Sequence, residues 1–308
     1  MAKPTILITG ANGFLGSHLL EALLGQKYKV VVLKRSTSDL WRITHLMDQV
    51  VSYDVDLVPV KNVFEAVKID IIVHLATLYK KVDDSSSIED MIDVNVSFPS
   101  QLLEIGVANG VKAFVNTGTF FEYDCSYLPV DESAKLKAFN YYAKTKIAFE
   151  SVLKTYSEQI LINTFKLFSP FGEKDNPKLI PLIIQKGLNA EPFSLSEGLQ
   201  KIDLIYVKDI VDAYMKSIDR MVDLSFKPEF EIYNLGSGHP LSIRDIVSII
   251  EEELGRRINV NWGARADNEN LVSYADVSKA KKLLSWDLNY GVRTGIKKTI
   301  EYFKIKNI

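Results

Sequence analysis

The sequence predicts an α/β protein: a doubly wound parallel sheet followed by a smaller C-terminal α/β domain. Three observations predict it. Short β-branched runs alternate with helical spacings through the first half. A glycine-rich turn joins the first of these strands to the first helix. After Ser169 the texture changes, with shorter elements and frequent Pro and Gly breakers. Strands buried on both faces read as continuous apolar runs, and strand–helix alternation is the pattern of a parallel sheet wrapped by helices.

Taken in order, Thr5–Thr9 reads as an apolar strand, and Phe14–Leu24 carries helical spacing through Leu15, Leu19, Leu20 and Leu23. Strands recur at Lys29–Leu33, Val50–Val55, Asp70–Leu75 and Lys112–Thr117, with helical stretches at Val60–Val67 and Ile88–Ala108. Tyr141–Thr155 reads as a long helix and Ile160–Leu167 as a strand. Beyond Ser169, Pro170, Gly172, Asn176 and Pro177 interrupt the pattern. Leu204–Val207 then reads as a strand, and Asp209–Ile218, Ile243–Leu254, Ser278–Leu284 and Val292–Phe303 as helices. This divides the chain into a first domain over residues 1–168 and a second over 169–308, with 203–220 a candidate to return to the first.

Bulk composition narrows the function classes. The 308 residues are 47% hydrophobic and 25% charged, an ordinary globular balance that supports a sizeable core. A net charge of -2 makes no electrostatic case for a nucleic-acid or polybasic membrane partner. The single Cys125 excludes an internal disulfide and a clustered-thiolate metal site, so no metal is expected. No apolar run approaches the ~20 residues that span a bilayer. A strand that starts at Thr5 leaves no room for a signal peptide, so the expectation is a soluble, cytoplasmic protein.

The turn after the first strand reads Thr9-Gly10-Ala11-Asn12-Gly13-Phe14-Leu15-Gly16. Glycines there permit a tight turn and let a pyrophosphate approach the backbone, while the following helix offers unpaired N–H groups and a positive dipole end. The spacing is G-x-x-G-x-x-G, and its place between strand and helix makes it a phosphate cradle. At the end of the second strand an NAD-binding site usually places Asp or Glu on the ribose 2′-hydroxyl. This chain has Lys34-Arg35-Ser36 instead, two cations and a hydroxyl suited to a 2′-phosphate. That favours NADP(H) over NAD(H); the alternative is that both cations are solvated loop residues.

Tyr142 and Lys146 stand four apart on a predicted helix, so they share a face. A phenol is a poor acid–base group at neutral pH unless a nearby cation stabilises its anion. Lys146 is therefore expected to lower the Tyr142 pKa and fit it to exchange a proton with a carbonyl oxygen.

With cradle and pair in this order, the chain resembles the extended short-chain dehydrogenase/reductases of the nucleotide-sugar branch over nearly its full length. The resemblance implies a Rossmann-type first domain that binds the dinucleotide and a second domain that binds the sugar nucleotide. It implies catalysis by Thr119, Tyr142 and Lys146, with Thr119 polarising the reacting oxygen. It places the cofactor along Gly10, Asn12, Gly13, Phe14, Leu15 and Gly16, then Lys34, Arg35 and Ser36, then Asp54 and Val55 at the adenine. Leu75, Ala76, Thr77, Asn95, Thr117, Tyr142, Lys146 and Leu167 complete that set. The substrate is placed against Tyr79, Thr119, Phe120, Phe121, Ser169, Lys201 and Arg265.

Within the branch, His74-Leu75-Ala76-Thr77, Asn116 to Phe121 and Trp262 to Glu269 resemble 4-keto sugar reductases of the CDP-abequose and CDP-paratose synthase type. The related 4,6-dehydratases carry Asp-Glu after the catalytic Thr, where this chain has Phe120 and Phe121. The implied activity is NADPH-dependent reduction of the C4 keto group of a nucleotide-activated 4-keto-6-deoxy or 3,6-dideoxy hexose. The substrate would be CDP- or dTDP-linked and serve deoxysugar synthesis for a surface polysaccharide or glycoconjugate. An NAD-retaining nucleotide-sugar 4-epimerase is the alternative, and a non-catalytic dinucleotide sensor or scaffold a remote one. A homodimer through helices 88–108 and 141–155 is also implied. Three positions depart from the family pattern: Ser169 replaces a usual Asn, Ile202 a usual Arg, and the later phosphate-binding Arg falls at Ala266, one position past Arg265.

Overall fold

The computed structural model describes residues 3–80, 84–265 and 272–306. Its first half follows the predicted alternation. β1 (Thr5–Thr9), α1 (Phe14–Gly25), β2 (Lys29–Lys34), β3 (Val51–Asp54), α2 (Val60–Ala66) and β4 (Ile71–His74) come in turn. α3 (Ser85–Ile92) runs through a π turn at Asp93–Ser97 into α4 (Phe98–Ala108), and β5 (Ala113–Thr119), α5 (Tyr141–Lys154) and β6 (Leu161–Leu167) follow. β1 pairs in parallel with β2 on one side and β4 on the other, and β4 pairs in parallel with β5.

The later chain forms β7 (Pro170–Phe171), α6 (Leu179–Asn189), β8 (Phe193–Ser194), β9 (Lys201–Ile202), β10 (Ile205–Tyr206), α7 (Val207–Asp223) and β11 (Glu229–Leu235). It ends with β12 (Leu241–Ser242), α8 (Ile243–Leu254), β13 (Val260–Asn261), α9 (Ser278–Leu284) and α10 (Gly291–Lys306). The seven-stranded central sheet has the order β11-β6-β5-β4-β1-β2-β3, a Rossmann-type doubly wound arrangement. The strand expected over Leu204–Val207 does not return to this sheet. Its core, β10, pairs in parallel with β7 in a two-stranded sheet of its own, and β11 supplies the seventh strand.

The chain divides into two compact units. The first comprises residues 1–124, 135–166 and 214–233, the second 125–134, 167–213 and 234–308. In the first, Leu7, Ile72, Phe114 and Phe149 lie fully or almost fully buried in one core between sheet and helices. Truncating such a phenylalanine to alanine typically costs about 3–5 kcal/mol. The second unit buries Ile183, Ile246, Trp286 and Ile296 and also holds a buried carboxylate. Asp203 is 1% exposed and accepts hydrogen bonds from Ser237 N (2.6 Å), Ser237 Oγ (2.5 Å), Gly238 N (3.2 Å) and Ala275 N (2.9 Å). These bonds join segments whose two-residue strands hold few ladder bonds of their own. No helix among the described residues is long and apolar enough to cross a membrane.

Candidate active site

The glycine turn is built tight. Gly10 has φ +69°, a conformation that favours glycine, and a Cβ there would lie 2.6 Å from Ala76 N. A Cβ on Gly16 would lie 2.1 Å from Gly10 O. Gly13 caps α1 in extended conformation with no side-chain hydrogen bond to the first turn. That leaves a helix N-terminus uncapped by any side chain of its own, which suits a pyrophosphate. Asn12 Nδ2 donates to Asp39 O (3.1 Å) and Arg42 donates to Asn12 O (3.4 Å), tying the turn to the loop after β2. Phe14 is buried edge-on against His18 and Leu15 is half-buried, so both present backbone rather than side chain to the turn.

At the end of β2 the two cations have different surroundings. Lys34 pairs with Asp54 at 3.1 Å, and Ser36 Oγ donates to the same carboxylate oxygen at 2.9 Å. Val55 N donates to Lys34 O (2.9 Å), which fixes the end of β3 beside that of β2. Arg35 is exposed; its backbone N–H donates to Ser38 Oγ (3.0 Å) and its carbonyl accepts from Ser38 N (3.0 Å). Of the two cations, Lys34 is thus paired with a carboxylate and Arg35 is the more exposed.

The end of β4 is held by a short chain of hydrogen bonds. Thr9 Oγ1 bonds His74 Nδ1 (2.8 Å) and accepts from Ala76 N (3.2 Å), while Leu75 N donates to Thr9 O (3.2 Å). Asn95, 1% exposed on the π turn, accepts from Thr77 Oγ1 (3.1 Å) and Leu78 N (2.8 Å). Its Nδ2 donates to Leu78 O (2.8 Å) and to Thr145 Oγ1 on α5 (3.0 Å). Asn95 therefore ties the Thr77–Leu78 loop to the helix that carries Tyr142.

α5 begins at Asn140, whose side chain accepts from Ala143 N (2.9 Å) and caps the first turn. Tyr142, the second residue of the helix, hydrogen-bonds with Thr77, and the Tyr79 ring meets it edge-on at 5.1 Å. Lys146 Nζ donates to Thr117 O (3.0 Å) and lies 5.7 Å from the centre of the Tyr142 ring. Thr117 Oγ1 donates to His74 O (3.1 Å) and shares a hydrogen bond with Tyr214 OH (2.7 Å). Thr119 ends β5, 8% exposed, with Oγ1 accepting a long bond from Phe121 N (3.4 Å).

Lys146 does not lower the Tyr142 pKa as its spacing suggests. Burial pushes the Tyr142 phenol well above its ordinary value, with the Thr77 hydrogen bond a smaller, opposing effect. The lysine ammonium faces the Thr117 carbonyl and the ring face, so it does not offset that burial. Lys146 itself is pulled down to about 8, by burial first and Lys166 next, with the Glu122 charge acting to raise it.

Behind the pair lies a charged cluster that the sequence did not flag. Lys166 on β6 is 0% exposed; its ammonium pairs with Glu122 and, at 2.6 Å, with Glu150 on α5. Glu150 four residues after Lys146 is the one sequence cue to this cluster, since that spacing returns to the same helix face. Beside Thr119, Phe120 and Phe121 are half-buried with ring centres 4.4 Å apart, and Phe121 stacks on Phe139 at 5.2 Å. Among the described residues no cluster of His, Cys, Asp and Glu suits a metal ion.

The remaining candidates belong to the second unit or its edge. Leu167 ends β6 and is buried. Ser169 is half-buried, and its carbonyl accepts from Ile205 N (3.3 Å). Lys201 is exposed in β9, which pairs antiparallel with β12. Arg265 is exposed, with its guanidinium 5.8 Å from the centre of the Phe193 ring. Ala266, Asp267, Asn268 and Glu269 of the late motif lie outside the described residues.

Residues 6–236 match the NAD dependent epimerase/dehydratase family. The chain is 29% identical over 302 residues to a CDP-abequose synthase of Salmonella muenchen, covering 96% of each protein. It is 28% identical over 331 residues to a UDP-glucose 4-epimerase of Drosophila melanogaster, covering 95% of this chain and 94% of that one. Its fold is similar to the crystal structure of UDP-glucose-4-epimerase from Stenotrophomonas maltophila with bound NAD and formylated UDP-arabinopyranose. There the TM-score is 0.88, at 22% identity over 99% of both chains.

Proposed function

The chain belongs to the NAD dependent epimerase/dehydratase family, and on that footing we propose that it is a nucleotide-sugar 4-ketoreductase. It would use NADPH to convert a CDP- or dTDP-linked 4-keto-6-deoxy or 3,6-dideoxy hexose into the 4-hydroxy sugar. What supports this reading is Thr119 at the end of β5 and Tyr142 with Lys146 on α5, together with Phe120 and Phe121 where the related dehydratases carry an acid pair. Elimination of water needs an accessible carboxylate beside the reacting carbons. The nearest one in sequence, Glu122, is 0% exposed and held by Lys166 and the Thr119 amide. The phenylalanine rings instead offer an apolar wall of the kind a deoxygenated sugar carbon prefers.

The dinucleotide, when bound, supplies the hydride. Gly10, Gly13 and Gly16 with the α1 N-terminus would hold its pyrophosphate, Arg35 its 2′-phosphate, and Lys146 the nicotinamide ribose. Tyr142 donates its proton to O4 and Thr119 hydrogen-bonds the same oxygen, the arrangement that supports developing alkoxide charge. The first domain (1–168) would serve the dinucleotide and the second (169–308) the sugar nucleotide through Ser169, Lys201 and Arg265. A homodimer through the helical stretches 88–108 (α3 and α4) and 141–155 (α5) and a cytoplasmic setting belong to the same reading.

A nucleotide-sugar 4-epimerase that retains NAD is the second reading, favoured by the resemblance to UDP-glucose 4-epimerases. The test is NADPH oxidation by purified protein with CDP- and dTDP-linked 4-keto-6-deoxyglucose, with NADH alongside. Stoichiometric consumption, faster with NADPH, is expected. No consumption together with tightly bound NAD in the purified protein overturns the reductase in favour of the epimerase.

A further inference from the structure

Glu122 is a carboxylate with no outlet to solvent, three residues after Thr119 and at the end of a short helical turn over Phe120–Glu122. Its two oxygens do separate things. Oε1 accepts the Thr119 N–H at 2.7 Å, half of a reciprocal cap in which Thr119 Oγ1 accepts from Phe121 N at 3.4 Å. Oε2 bonds the Lys166 ammonium. That ammonium also pairs with Glu150 at 2.6 Å, and Glu150 stands one helical turn after Lys146 on α5. The backbone makes room for this: a Cβ on Gly118 would lie 2.7 Å from Glu122 Oε1 and 2.8 Å from Lys166 Cδ. One buried cation therefore joins the turn that carries Thr119 to the helix that carries Tyr142 and Lys146.

We propose that Glu122 is a positioning residue that sets the Thr119 hydroxyl against Tyr142 through the Thr119 amide on one side and Lys166 and Glu150 on the other. Burying two carboxylates and an ammonium is poor design for stability alone, since apolar residues of similar volume often serve as well. The value of the arrangement lies in direction: charge-assisted bonds fix an angle that an apolar contact leaves soft. Without Glu122, Thr119 N–H loses its partner and the turn is free to move relative to α5. The Glu122 charge also acts to raise the pKa of Lys146, which favours the protonated form of that neighbour.

The kinetic arm of the test rests on the nucleotide-sugar reading, while the exchange arm does not. Wild type, Glu122→Ala, Glu122→Gln, Thr119→Ala and the Glu122→Ala/Thr119→Ala double variant are compared as full chains. Amide hydrogen exchange of the peptide spanning 117–122 is expected to quicken at least about tenfold in Glu122→Ala, with β1 and α5 peptides unchanged. Glu122→Gln keeps an acceptor for Thr119 N–H and is expected to retain most of the protection.

Against whichever nucleotide sugar turns over, Glu122→Ala is expected to lower kcat about 10- to 100-fold with an unchanged KM for the dinucleotide, the scale of a small misplacement. Glu122→Gln is expected to recover most of that loss. Glu122→Ala should add nothing further in the Thr119→Ala background, the signature of one residue acting through the other. Should Glu122→Ala fail to fold, Glu122→Met/Lys166→Met removes both charges together and takes its place.

Unchanged exchange at 117–122, or losses that multiply fully with Thr119→Ala, overturn the proposal. If wild type turns over no nucleotide sugar, the functional reading falls, and the exchange data alone still decide the positioning role.

Discussion

The two compact units place their functional candidates by different means. In the first, Tyr142 and Lys146 hang on the fourteen-residue helix α5, and the glycine turn sits between a five-residue strand and a twelve-residue helix. In the second, Lys201 lies in a two-residue strand, Ser169 just precedes another, and Arg265 sits outside any element. There Asp203 accepts hydrogen bonds from segments distant in sequence, which tie together the short strands around it. The difference teaches where function can be read from spacing. A long element fixes the direction of its side chains by its period, whereas a network fixes them only when every partner is known.

The strongest way to break this comparison is at the regular element. Tyr142→Phe removes one oxygen from α5 and leaves the turn, Lys146 and the packing of Tyr79 in place. Turnover is expected to fall about 10²- to 10⁴-fold, the range for a lost general acid. Dinucleotide affinity, followed by titration of protein fluorescence, is expected to stay within about twofold, since the glycine turn, Arg35 and Lys146 are left in place. Retained turnover would take the chemistry off α5 altogether.

The second way is at the network. Asp203→Ala leaves Ser237 N, Gly238 N and Ala275 N without their acceptor, and each such buried donor costs about 1–3 kcal/mol. Hydrogen exchange is expected to open the second unit, including α8 and α9, while the β1–β5 peptides keep their protection. Equal loss across the whole chain would show that the two units share one network. Normal protection at Ser237 and Ala275 would show that Asp203 is not its hub.

A third test asks how a loop on the first unit behaves. Arg35→Ala removes the exposed cation at the end of β2 and spares the Lys34–Asp54 pair. The preference for NADPH over NADH, measured as the ratio of kcat/KM values, is expected to fall about tenfold, the worth of one charge-assisted contact. If Lys34→Ala has the larger effect instead, the Lys34–Asp54 pair is not what holds that lysine away from the phosphate.

The same contrast explains what the sequence discloses. Helices α8 and α9 fall on the predicted bounds Ile243–Leu254 and Ser278–Leu284, and α8 opens on the reciprocal cap of Ser242 with Asp245. Strand β11 went unread because Glu229 and Glu231 interrupt its apolar run, although it completes the central sheet. Helix α6 was hidden by the breakers before it and by Pro181 within it. The Tyr142–Lys146 pair was legible from its spacing, but the direction of the Lys146 ammonium was not. That direction is set by the Thr117 carbonyl, which comes from another strand. Glu122 was invisible for a similar reason. Its partner Lys166 lies 44 residues away, and nothing local marks either charge as buried.

The smallest expected effect concerns His74, which joins strand to strand within the first unit. Its Nδ1 bonds Thr9 Oγ1, and burial, then the charge of Lys146, pull its pKa down to about 3. The unfolded chain takes up a proton there near pH 6.5 and the folded chain does not, so stability falls as pH drops from about 6.5 toward 3. Between pH 7.5 and 5.5 this one group accounts for about 1.4 kcal/mol by linkage. His74→Gln is expected to be less stable than wild type at pH 7.5, through the lost packing against Phe114 and Phe149. Its urea midpoint, however, should move less between the two pH values than that of wild type. An equal acid shift in both proteins would assign the sensitivity to another group. A shift confined to first-unit peptides in exchange experiments would sharpen the contrast, because it would place the acid response where the regular elements meet rather than in the Asp203 network.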